Sequence, residues 1–142
     1  MPTWRRGLTQ AQEGGEDEAR VGDVGVTARE VLERWIELFN ARDVEGIAGL
    51  YHPDAINHQV MDEPLEGRPA IRAMFERNFG QAEMVCIPVA IHEAGEVVAL
   101  EWRDPLGLRG CGFFTVRDGQ IVFQRGYYDK LTFLRIHGLP IE

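Results

Sequence analysis

Residues 112–129 read GFFTVRDGQIVFQRGYYD, two runs of aromatic and β-branched residues separated by Asp118 and Gly119. Such runs suit a pleated, half-buried surface, and an Asp-Gly link between them marks a tight antiparallel hairpin. Working back from it, strand-like stretches recur in GCGFFTV (110–116), EVVALEWRD (96–104) and MVCIPVAIHEA (84–94), with EAGE (93–96) and DPLGLRG (104–110) as links. The second half of the chain is therefore expected to be an antiparallel sheet. Pro88, which has no N–H for the ladder, marks an edge position or a bulge.

Upstream, the hydrophobic period changes from two to 3.6. Thr27 and Glu30 form a capping box, and Val31, Leu32, Trp35, Ile36, Leu38 and Phe39 follow at helical spacing as far as Asn40. Asp43 caps a second, shorter helix with the apolar stripe Val44, Ile47, Ala48, Leu50 and Tyr51, which His52-Pro53-Asp54 stops. A third helix is expected from Pro69 through Ile71, Met74, Phe75 and Phe79 to a stop at Gly80. Residues 1–26 have almost no aliphatic periodicity and are expected to be a disordered arm ahead of one domain, 27–142. Helices first and strands after give an α+β fold with segregated layers. A curved sheet wrapped around helices leaves an apolar pocket, so the chemistry must come from the few polar side chains that face it.

At 142 residues and 44% hydrophobic, the chain builds one core and one pocket. Its net charge of −8 repels phosphate backbones and anionic membranes, which argues against nucleic acid and membrane partners. No apolar run has the length of a signal peptide or a membrane span, so a soluble, cytoplasmic protein is expected. Cys86 and Cys111 lie in apolar strand contexts without metal-ligand spacing. They are buried free thiols or, geometry permitting, a cross-strand disulfide.

LYHPDAINH (50–58), EGRPAIRAMF (66–75) and the 112–129 hairpin together resemble the SnoaL-like polyketide-cyclase group of the nuclear transport factor two-like superfamily. The likeness covers residues 27 to about 135. It implies a cone of three to four helices on a strongly curved, mainly antiparallel sheet that dimerises through its outer face. Relatives include ketosteroid isomerases, limonene epoxide hydrolases, polyketide cyclases, dehydratases and pure binding modules, so the resemblance specifies fold far better than function. The epoxide hydrolases' final-strand aspartate falls on Gly126, and their Arg and Asp, two apart, fall on Trp102 and Asp104. The ketosteroid-isomerase base falls near Gln59, whose amide accepts no proton at neutral pH. By the same likeness Gln124, Gly126 and Tyr128 face inward, leaving Arg125, Tyr127 and Asp129 outside unless a one-residue bulge reverses the faces.

His52, Asp54, Asn57, His58 and Gln59 crowd one segment. Asn57 and His58 match an amide-histidine pair of the SnoaL-like group, and His58 is the expected proton carrier, because histidine exchanges a proton near physiological pH. The competing reading is that both only satisfy backbone groups in a turn. Two His and one Asp by spacing alone are weak grounds for a metal, and no cofactor or metal is expected. Asp104 either forms the turn before Pro105 or, pointing into the cone, acts as an acid or base; Asp129 either pairs on the outer face or does the same. Trp102 is expected to wall the pocket, with Glu101 and Arg103 on the other side. Asn57, Gln59, Gln124, Tyr128 and Tyr51 complete the expected ligand-binding set, and His92 and His137 read as surface residues. The expectation is a homodimeric small-molecule pocket protein, catalysing cofactor-free acid/base chemistry such as cyclisation, isomerisation or dehydration of an apolar, oxygenated substrate. The alternative is a noncatalytic ligand-binding or assembly module.

Overall fold

The computed structural model describes residues 25–141, so the expectation for the N-terminal arm falls, apart from Gly25 and Val26, outside the described residues. Helix α1 (Ala28–Asn40) starts at the capping box: Thr27 Oγ1 accepts from the Glu30 N–H, and the Glu30 carboxylate accepts from the Thr27 N–H at 2.9 Å. Two N–H groups that a helix start leaves without partners are satisfied in this way. Helix α2 (Val44–Ala48) is capped by Asp43, whose carboxylate accepts from the Gly46 N–H at 2.9 Å. Helix α3 (Arg68–Gln81) carries Pro69 in its first turn, where a missing N–H costs nothing.

Among the described residues six strands form one sheet: β1 (Tyr51–Gln59), β2 (Leu65–Glu66), β3 (Ile87–Ala94), β4 (Val97–Arg103), β5 (Arg109–Arg117) and β6 (Gln120–Tyr128). Their order is β2-β1-β6-β5-β4-β3. Every neighbouring pair is antiparallel except β1 and β6, which are parallel. The turn from β5 to β6 holds Asp118 at φ 53° and Gly119 at φ 77°, both positive as a tight two-residue hairpin requires. Pro88 lies on the edge strand, and a register shift falls between it and Ala90. The core joins the two layers: the Trp35 ring stacks on Phe39 at 5.0 Å and meets Phe114 of the sheet edge-on at 5.2 Å. A last helix, α4 (Lys130–Ile136), follows β6 and has no buried residue of its own. Among the described residues no helix is long and apolar enough to cross a membrane. Both cysteines are free thiols, Cys86 buried and Cys111 half-buried.

Three expectations are corrected. The second helix ends at Ala48, and Leu50 and Tyr51 are not helical; Tyr51 opens β1, so HPDAINHQ is a strand rather than a turn. Its hydrogen bonds run to β6, far along the chain, and a register shift between Tyr51 and Ile56 accommodates Pro53. Helix α3 runs through Gly80 to Gln81, since one glycine near an exposed helix end costs only about 1 kcal/mol. Strand β2 is two residues long, too short to carry a sequence pattern, and α4 lies beyond the last strand, where no element was expected.

Candidate functional site

The register sets out the sheet's inner face in three rows. Val98, Phe114, Gln124 and Asn57 lie side by side across β4, β5, β6 and β1; Leu100, Gly112, Gly126 and Gln59 form the next row; Trp102, Gly110 and Tyr128 form the third. Helix residues Trp35, Phe39, Met74 and Phe75 face these rows, and between the layers lies a cavity of ≈ 100 Å³ with mostly apolar walls. Glycines in these rows make room for neighbouring side chains. A side chain on Gly126 would overlap the Gln59 amide folded over it, and one on Gly110 would overlap the Trp102 ring.

At one end of the cavity, polar groups form a chain. Trp35 Nε1 donates to Tyr51 Oη at 3.0 Å, Tyr51 Oη donates to Gln124 Oε1, and Asn57 Nδ2 donates to the same oxygen at 3.0 Å. Gln59 Nε2 in turn donates to Asn57 Oδ1 at 2.9 Å. With its oxygen held twice, the Gln124 amide cannot turn freely. Gln124 lines the cavity, and its Nε2 hydrogens have no partner among the described residues. Burial pushes the Tyr51 hydroxyl well above the usual phenol range.

At the other end Asp104, 4% exposed, closes β4. Its Oδ1 accepts from the N–H groups of Leu106 and Leu108, each at 2.9 Å, which shapes the loop into β5. Oδ2 lies 3.2 Å from His137 Nε2, and the two side chains are only 6% and 8% exposed. A carboxylate there requires Nε2 to donate, leaving Nδ1 to accept or carry a proton. His137 reaches this place because α4 ends in a tight motif: the Gly138 N–H bonds the Arg135 carbonyl, the Leu139 N–H bonds the Leu134 carbonyl, and Gly138 takes φ 66°. Four residues before it, Phe133 meets His137 at 4.8 Å and Tyr128 at 5.7 Å, and Tyr128 meets Trp102 at 6.0 Å.

The structure thus brings Asp104, Trp102, Gln59, Gln124 and Tyr128 to one cavity wall. Tyr128 is half-buried, and burial first, then the Asp62 charge, raises its hydroxyl above the ordinary value; it has no hydrogen-bond partner among the described residues. Tyr51 and Asn57 stand behind the wall, fully buried, and hold Gln124 in place. His58 is not brought to the cavity: it pairs with Arg125 in the β1–β6 register, one residue out of phase with inward Asn57 and Gln59, and so projects from the sheet's outer face. Asp129 is also outside, exposed at the start of α4, where the Thr132 hydroxyl donates to its carboxylate and holds it below the usual range. His52 Nδ1 accepts from the Asp54 N–H at 3.0 Å within β1.

His137, read from sequence as a surface residue, is the titratable group that reading missed. LTFLRIHGLP does carry the signal of a short helix with Gly at its end and Pro beyond, placing Phe133 and His137 on one face. Nothing in the chain's pattern indicates that this face meets Asp104.

The fold recurs in solved proteins. A protein with a ketosteroid isomerase-like fold from Catenulispora acidiphila, in complex with trimethylamine, superposes with a TM-score of 0.69 at 17% identity over 81% of this chain and 96% of its own. TerC, co-crystallised with polyporic acid, gives 0.67 at 19% identity, covering 78% and 98%. An LEH-like epoxide hydrolase from M. tuberculosis gives 0.67 at 21%, covering 78% and 88%. Identities this low establish a shared fold alone. No curated protein matches the chain in sequence. The SnoaL-like domain model matches residues 32–124, a span that takes in every strand except the last four residues of β6 and includes Gln59 and Gln124 of the cavity wall, and the chain belongs to the SnoaL-like domain family.

Proposed function

We propose that the cavity binds a small, mostly apolar, oxygen-bearing molecule and catalyses a cofactor-free proton transfer of the isomerisation, cyclisation or dehydration class. The observation that carries this reading is the nearly buried His137–Asp104 pair at the end of an otherwise apolar cavity. An imidazole held by a carboxylate has a set tautomer and orientation, which is what a general base needs to meet a substrate proton repeatedly in one geometry. His137 is the proton carrier in this scheme, and Asp104 positions it. The Gln124 amide and the Tyr128 hydroxyl are donors for a substrate oxygen that gains negative charge as the proton leaves.

The test is a screen of small cyclic ketones and epoxides for turnover, followed by His137→Gln on any substrate found. Loss of most turnover with ligand affinity retained supports the scheme; normal turnover removes His137 from it. A noncatalytic binding module is the second reading, favoured by glycine at 126 and an amide at 59 where acids stand in the enzymes this chain resembles. Failure of every substrate in the screen, with binding intact, supports that module. Dimerisation through the sheet's outer face is part of the same proposal. There Phe113 and Tyr127 are exposed, and the Arg125 guanidinium lies 5.6 Å from the Phe113 and Phe123 rings, its buried Nε without a partner among the described residues.

A further inference from the structure

Trp35 decides the direction of the buried hydrogen-bond chain, because an indole N–H can only donate. Its Nε1 gives a hydrogen to Tyr51 Oη at 3.0 Å, so the Tyr51 hydroxyl hydrogen must point elsewhere, and the group it meets is Gln124. Gln124 therefore presents its oxygen there. Asn57, 3.0 Å from that same oxygen, has to offer Nδ2, which leaves its Oδ1 to accept from Gln59 Nε2 at 2.9 Å. An amide can turn over until its neighbours settle which end is oxygen. Here one donor-only residue settles all three.

The ends of the chain are what remain. Gln124 is left with its Nε2 hydrogens, a donor, and Gln59 with Oε1, an acceptor, and neither has a partner among the described residues. Both residues line the cavity, and Gln124 is only 5% exposed. Among the described residues Arg125 Nε alone is a side-chain polar atom both fully enclosed and unpartnered, so these two ends keep contact with the cavity space. They also lie close together: Gln59 stands opposite Gly126, two residues on from Gln124, and its amide folds over that glycine, where a Cβ would collide with it.

An apolar cavity that ends in one fixed donor and one fixed acceptor suits a ligand with the converse pair, since either group left unmet costs free energy in a dry site. Among the described residues no Lys or Arg lines the cavity, whereas the Asp104 carboxylate does, which disfavours an anion. Size sets a further limit: an apolar cavity of about 150 Å³ takes benzene, so ≈ 100 Å³ calls for a smaller molecule. In the proposed chemistry a proton leaves carbon beside a carbonyl group, and an amide nitrogen on that carbonyl would weaken its pull on the electrons. The ligand's donor is then a hydroxyl on the neighbouring carbon.

We infer that Gln124 and Gln59 together select a small, neutral hydroxycarbonyl compound, with Gln124 Nε2 donating to its carbonyl oxygen and Gln59 Oε1 accepting from its hydroxyl. This rests on the reading that the cavity binds a small oxygen-bearing molecule, and it adds the second polar group and the residue that recognises it.

The probes are hydroxyacetone, butanone and propanoate, which have equal numbers of non-hydrogen atoms. Butanone carries a methyl group in place of the hydroxyl, and propanoate carries a charge. Each is titrated at neutral pH into the ¹⁵N-labelled full chain while backbone and side-chain amide resonances are followed. Hydroxyacetone is expected to bind saturably and about 10-fold more tightly than butanone, the scale of one hydrogen bond left unmade at a buried group. The Gln124 and Gln59 side-chain resonances should move most, and propanoate should bind most weakly. Gln59→Met keeps the length of the side chain and removes its polar atoms. It should bring hydroxyacetone down to the affinity of butanone and leave butanone unaffected; if the variant does not fold, the wild-type comparison decides alone. Equal affinity of the wild type for hydroxyacetone and butanone, tighter binding of propanoate, or an undiminished preference for hydroxyacetone in Gln59→Met would each overturn the inference. Saturable butanone binding alongside any of these leaves the small-molecule cavity standing, and no saturable binding of any probe removes both.

Discussion

His137 and Asp104 show how much a single residue's role depends on where the chain returns to itself. If the proton passes through His137, His137→Gln should lower turnover by about 10²–10⁴-fold, the usual contribution of a positioned acid or base. Asp104→Asn keeps an oxygen for the Leu106 and Leu108 N–H groups but loses the imidazole's anionic partner; a fall in kcat with little change in KM is expected, read from steady-state kinetics. His58→Gln should leave both constants unchanged, because His58 lies on the outer face. Other residues set the alkaline limit. Burial pushes the Cys86 thiol from 9.0 up to about 12 and raises the Tyr51 and Tyr128 hydroxyls. Each binds its proton more tightly in the folded state, so their stabilising contribution is complete at lower pH and is lost as pH rises above about 9 through the folded values. Thermal melts should show a falling melting temperature over that range, and Cys86→Ala should reduce the slope. A flat profile between about pH 9 and 11 would show that these groups do not unfold the protein on ionising.

Among the elements, α4 is the one whose stability is least secured by the core. It has seven residues and no buried side chain, too short to persist without tertiary support. Phe133 and His137 anchor it to the cavity wall. Gly138→Ala tests this anchorage cleanly, since a Cβ there meets nothing within 4 Å among the described residues and the penalty is φ 66°, about 1–2 kcal/mol for a residue with a side chain. Hydrogen exchange should speed up in α4 and not in β5, and turnover should fall while the global melting temperature hardly moves. A parallel loss of melting temperature would show that α4 unfolds with the sheet. In α1 the opposite holds: Trp35 packs against Phe39, Phe75 and Phe114 and donates to Tyr51, so Trp35→Ala should cost about 3–5 kcal/mol in a denaturant titration.

For the whole molecule, the question is what covers the second face of the sheet. One face is the core and the cavity; the other presents Phe113 and Tyr127, with Arg125 held between aromatic rings and its Nε buried without a partner among the described residues. Buried donors without partners are rare and costly, and a second copy is the proposed source of one. Light scattering should give twice the 16.1 kDa chain mass, and Phe113→Glu should reduce it to the monomer value without unfolding the chain. A wild-type mass of one chain at micromolar concentration would remove the dimer from the proposal.

Whatever depends on neighbours along the chain was legible in the amino-acid order. The Thr27 capping box starts α1 because its partners are three residues apart, the Asp118-Gly119 turn joins β5 to β6 because both residues adopt positive φ, and Pro88 falls on an edge because it lacks an N–H. Alternation likewise put Trp102, Gln124, Gly126 and Tyr128 on one face, and the resemblance chose which. The rest came from contacts between segments distant along the chain. HPDAINHQ became a strand because its parallel partner β6 lies on the far side of the whole crossover, and that pairing turned Asn57 inward and His58 out. His137 became a candidate base because α4 folds back onto a strand end that precedes it by 33 residues. Local patterns report the free energy of neighbouring residues, whereas these contacts arise from closing long loops around a shared core, and no short window of sequence contains both partners.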